Sequence, residues 1–115
     1  AFDWVANNAD RKASHCIQGR DGKLWGIDHG LTFHPQPKLR TVMWDFCGEA
    51  IPQAVHQALR SLHKRLESPQ GDLAELEELL EPSEVEALAE RVDWFLGQRT
   101  FPMLDPYRNT PRPPF

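Results

Sequence analysis

The apolar pattern changes period once, near Pro52, and that change constrains the fold more than any other feature of the 115-residue chain. Before it, apolar runs are short and are broken by Gly19, Gly22, Gly26, Gly30 and Gly48. After it, Val55, Leu59, Leu62 and Leu66 recur at spacings of four, three and four. That is one face of a helix, opened by Pro52 in its first turn. Ser68-Pro69-Gln70-Gly71 breaks it. Asp72 with Glu75 offers a capping pair for a short helix carrying Leu73, Leu76 and Leu79 or Leu80. Pro82 is expected to end that helix, and Ser83 with Glu86 to cap a third. Its inner stripe is Val85, Leu88, Val92 and Phe95 or Leu96.

Strands fit only in the first half. His15–Gln18 and Lys23–Ile27 flank Gly19-Arg20-Asp21-Gly22, and Asp-Gly between short β-capable runs predicts a hairpin over about 15–27. Phe2–Val5 reads as the end of a helix running into Asn7-Asn8, and 32–41, with Pro35 and Pro37, as a loop. The tail, 102–115, carries five of the ten prolines and no periodicity, so it is expected to run extended over the surface with a frayed end. The expected class is α+β, mainly helical with a small β-hairpin.

Thirteen Lys and Arg against seventeen Asp and Glu leave a net charge of −4, which argues against nucleic acid as the main partner. No apolar window is long enough for a membrane span. Cys16 and Cys47 do not form a C-x-x-C pair and point to a reducing, cytoplasmic compartment. Neither they nor His15, His29 and His34 show the short spacing of a structural zinc site. Cys47 reads as a buried thiol beside aromatics. Trp4, Trp25, Trp44 and Trp94 read as core anchors, and the acidic run from Glu75 to Glu81 as a solvated face.

The segment richest in chemistry is N-N-A-D-R-K-A-S-H, residues 7–15, followed by the hairpin and then I-D-H-G, residues 27–30. A two-stranded hairpin returns its exit close to its start. Asp10, His15 and Asp28 are therefore expected to converge, although the two acids are eighteen residues apart. Two carboxylates and an imidazole at one point suit a divalent cation with a phosphate ester. Either carboxylate taken singly also fits an ordinary turn or cap.

Together these motifs resemble the catalytic and metal-binding loops of the phosphatidylinositol 3-/4-kinase-like family, whose pattern is D-R-H-x-x-N, a hairpin, then I-D-F-G. Actinobacterial kinase-like proteins of this family carry a similar N-N-A-D-R-K and D-H-G signature. The resemblance is sharp over residues 3–34; beyond, 41–67 agree only as a following helical region. It implies a kinase-like C-terminal lobe over 1–115, with metal-dependent transfer of the ATP γ-phosphate to a hydroxyl. Asp10 matches the catalytic aspartate, and Asp28 the aspartate that holds Mg²⁺ between the nucleotide phosphates. Lys12 falls where many protein kinases place a phosphate-contacting lysine, a catalytic and nucleotide-binding role.

Three positions depart from the pattern. His15 stands where the family has a metal-binding Asn, and imidazole suits Mn²⁺ better than Mg²⁺. Lys12 replaces the His of D-R-H, and His29 replaces an aromatic packing residue. These changes leave a pseudokinase-type scaffold or binding module as the alternative. Nine residues precede Asp10, and neither a Gly-rich phosphate cover nor a V-A-I-K lysine occurs elsewhere. The expectation is a fragment, inactive without the N-terminal lobe that would be its partner, and prone to self-association through the surface that lobe would cover.

Overall fold

A computed structural model describes all residues from Ala1 to Phe115. The elements in order are α1 (Phe2–Val5), a short 3-10 turn (Ala13–His15), β1 (Cys16–Gln18), β2 (Leu24–Gly26), α2 (Gln53–Glu67), α3 (Asp72–Leu79) and α4 (Pro82–Leu96). The class is α+β and mainly helical. The strands pair antiparallel, with Ile17 opposite Trp25. Gly22 takes φ +80°, the left-handed conformation that makes Asp-Gly a turn signal, and Asp21 Oδ1 accepts the Lys23 N–H at 3.0 Å.

The core is built by the stripes that the leucine spacing marks. Leu59 of α2 meets Leu88, Val92 and Phe95 of α4, and Val5 and Ile51 close the cluster. Val55, Leu62 and Leu66 are half-buried along the same seam. Phe95 is the largest fully buried side chain. No helix of the chain is long and apolar enough to cross a membrane.

Several local expectations are corrected. Pro82 opens α4 as its first residue instead of ending α3, and the capping box is Glu81 with Glu84, the Glu84 carboxylate accepting the Glu81 N–H at 2.8 Å. Two overlapping boxes were available, and a proline's fixed φ selects the one that puts it at the first helical position. Gly71, at φ +59°, precedes α3, and Asp72 makes no cap. Leu79 lies exposed on α3. Of the four tryptophans, Trp25 and Trp94 are half exposed; Trp94 stacks on Trp4 at 5.5 Å instead of filling the core.

The tail forms no helix or strand, but it is not frayed. Pro111 is fully buried, Thr41 N–H donates to Asn109 O at 2.9 Å, and Ala13 N–H donates to Pro114 O at 2.9 Å. Asn109 Nδ2 donates to Leu39 O at 2.8 Å. The tail therefore braces the polar loop of residues 7–15 from outside.

Candidate functional site

The loop that carries Asp10 is positioned by buried polar side chains. Asn8, with no exposed surface, accepts the Asp10 N–H on Oδ1 at 3.0 Å and donates from Nδ2 to Asp3 Oδ1 at 3.2 Å. Asn7 takes φ +53°, a conformation Asn tolerates, and its side chain ties the loop to His34, Gln36 and Lys38. Arg11 joins three elements through one guanidinium. Its Nε lies 3.1 and 3.2 Å from the two Asp3 oxygens, and its Nη1 donates to His15 O at 3.3 Å and Ile27 O at 3.1 Å. Thr41 Oγ1 donates to Asp3 Oδ2 at 3.0 Å. A buried arginine needs this saturation, since an unpaired buried charge is costly. Because it grips the carbonyls on either side of the hairpin, it also fixes where Asp28 emerges.

Sequence reasoning missed Asp3, Asn8, Arg11 and Thr41. The only signal for them was a polar run with no apolar partner pattern, which does not reveal burial.

His15 lies between the backbone of the Asp10 loop and the Asp28 side chain, but the expected meeting of three side chains does not form, because the Asp10 carboxylate faces Lys12 and is not gathered with His15 and Asp28. His15 Nδ1 lies 2.8 Å from the Asp10 carbonyl oxygen, and His15 Nε2 lies 3.4 Å from Asp28 Oδ2. Lys12 Nζ is 3.9 Å from Asp10 Oδ1. Asp28 takes φ +57°, one of three non-glycine residues in the left-handed region. Such a conformation persists where surrounding structure imposes it, and it concentrates at functional positions. His29 does not forfeit ring packing as its substitution for an aromatic suggested. It rests on Phe2 with centroids 5.0 Å apart.

Two contacts compete for His15 Nδ1. Either it accepts the Lys12 backbone N–H at 3.3 Å, which leaves Nε2–H to donate to Asp28 Oδ2, or it donates to the Asp10 carbonyl at 2.8 Å, which leaves the Nε2 lone pair of the neutral ring facing the Asp28 carboxylate. In the second state a cation between them removes the repulsion, and a metal-bound histidine held through its other nitrogen is the arrangement such ligands need. His15 Nε2 and Asp28 fit a divalent ion as two donors of a larger set. No group of three His, Cys, Asp or Glu side chains is gathered there.

Two large cavities open on the molecule, and none of Asp10, Lys12, His15 or Asp28 lines either. One, of about 550 Å³, runs beneath the hairpin between Phe2, Trp25, Met43 and Phe46. All four are about half exposed, and Leu24 is more so, giving this side of the molecule a broad apolar surface. The other, of about 1080 Å³, lies between α4, residues 35–40 and the tail.

No protein-family model matches the chain, and no solved structure matches it. Protein Rv2133c of Mycobacterium tuberculosis is similar: 40% identical over 114 residues, which are 99% of this chain. The match covers 40% of that protein, so the chain spans about two-fifths of its relative's length.

Proposed function

We propose that the chain is the C-terminal lobe of a phosphatidylinositol 3-/4-kinase-like phosphotransferase that moves the ATP γ-phosphate to a hydroxyl with Mg²⁺ or Mn²⁺. The observation that carries this reading is the His15 ring spanning the Asp10 loop and the Asp28 carboxylate. Asp10 orients the acceptor hydroxyl and takes its proton, and Lys12, beside it, supplies positive charge where the transferring phosphate passes. Asp28 and His15 would hold the metal, which would neutralise phosphate charge when bound. Arg11 keeps the two halves of the site in register.

In this reading the exposed apolar side around Trp25, Met43 and Phe46 is where an N-terminal lobe docks, and that lobe supplies most of the nucleotide pocket. The relative's additional length leaves room for such a lobe. The compartment proposed is the cytoplasm.

A second reading, a pseudokinase-type scaffold, draws support from the same contact. An imidazolium paired with Asp28 would fill the place of the metal, and neither cavity reaches the four residues. Phosphate transfer by the full-length protein decides between them. Asp10→Ala and Asp28→Ala are each expected to lower kcat at least a hundredfold, and Mn²⁺ with ATP to raise the melting temperature. Undiminished transfer in both variants overturns the phosphotransferase reading, and no shift with any metal–nucleotide pair favours the scaffold.

A further inference from the structure

The 1080 Å³ cavity between α4, residues 35–40 and the tail collects Lys38, Arg40, Arg91 and Arg108. The chain as a whole is acidic, yet these four cations share one hollow. None of the four takes part in a salt bridge of the molecule. Glu90 and Asp105 also line the hollow, leaving it with a surplus of two positive charges. Gathering unpaired cations around an apolar floor raises the local potential, and an incoming anion relieves it.

Arg91 is held in place before any ligand arrives. Its Nε donates to Val5 O at 2.8 Å and its Nη1 to His34 O at 3.2 Å. Its Nη2 is buried and has no acceptor. Partial burial pushes the guanidinium below its usual pKa, against the pull of Glu90. Lys38 and Arg108 are different: their side chains make no hydrogen bond or ion pair, so they are free to close on a ligand.

The apolar wall is aromatic. Trp94, about half exposed, is stacked on Trp4 with the rings 23° from parallel, and Tyr107 stands across the hollow almost fully exposed. A rigid indole face beside guanidinium groups suits a planar ring that carries an anionic group. Cavities of several hundred Å³ accommodate such ligands.

We infer that this cavity binds a small organic phosphate bearing an aromatic ring, the phosphate held by Lys38, Arg40 and Arg108 beside the fixed positive charge of Arg91, and the ring against Trp94. The site is separate from the Asp10–His15–Asp28 constellation and does not depend on a metal.

The test is calorimetric titration of the full-length protein with phenyl phosphate, orthophosphate and phenol, all without divalent metal. Phenyl phosphate is expected to bind one to one, at least tenfold more tightly than either part alone. Lys38→Gln combined with Arg108→Gln removes two charges and no fold-holding contact, and is expected to weaken phenyl phosphate at least tenfold with the melting temperature unchanged. Trp94→Leu is expected to bring phenyl phosphate down to the affinity of orthophosphate. Absence of phenyl phosphate binding, equal affinity for orthophosphate, or unaltered affinity in the double variant overturns the inference. Because no metal is present, that failure leaves the phosphoryl-transfer reading standing.

Discussion

The helical body and the hairpin arm are held together by opposite physics. In the body, α2 and α4 close on Leu59, Leu88, Val92 and Phe95, and order comes from excluding water. In the arm, no residue of β1 or β2 is buried, and two strands of three residues cannot stand alone in water. What fixes the arm is one buried arginine and its acceptors: Asp3 in α1, and the carbonyls of His15 and Ile27 at the base of the hairpin. The candidate site lies on the arm's side of this divide. Its precision therefore depends on a polar linkage and not on the core, which allows Asp28 to remain exposed while its backbone position is fixed.

Substitutions can break this contrast in order of expected effect. Phe95→Ala empties the centre of the body and is expected to cost about 3–5 kcal/mol in urea denaturation, with helix and hairpin lost together. Arg11→Leu removes one partner of a buried pair and is expected to cost about 3 kcal/mol. Its signature differs, however: amide protection over residues 16–26 collapses in hydrogen exchange while that of α2 and α4 remains. Loss of protection throughout the chain in Arg11→Leu would show that arm and body are one cooperative unit. Asp28→Gly removes the carboxylate but relaxes a left-handed residue, so stability is expected to stay within about 1 kcal/mol while phosphate transfer disappears. Leu24→Ser, at an exposed strand position, is expected to alter stability by no more than about 0.5 kcal/mol.

The same division governs what could be read from the residues. The body was legible because burial imposes a period: Val55, Leu59, Leu62 and Leu66 announce α2, and Ser68 to Gly71 announces its end. The hairpin and the approach of His15 to Asp28 were legible because Asp21-Gly22 leaves the chain one simple way to turn, whereas the Asp10 carboxylate, turned toward Lys12, does not join them. The pairing of Asp3 with Arg11 and Thr41 was not, since a polar contact between loops has no period and no fixed spacing. Nor was the tail's attachment. It rests on backbone hydrogen bonds, such as Ala13 N–H to Pro114 O, which any residue could supply, and on the single contacts of Asn109 and Pro111, which have no period. The cap of α4 is ambiguous in the sequence because Glu81/Glu84 and Ser83/Glu86 both satisfy the rule, and only the proline between them decides.

The central claim is that His15 and Asp28 jointly hold a metal beside nucleotide phosphate, and pulsed electron paramagnetic resonance of Mn²⁺ with ATP on the full-length protein tests it most directly. The account predicts nitrogen-14 modulation from a coordinated imidazole, present in the native protein and in Lys12→Ala and lost in His15→Ala. Bound Mn²⁺–ATP with no nitrogen coupling, or coupling that survives His15→Ala, would contradict it.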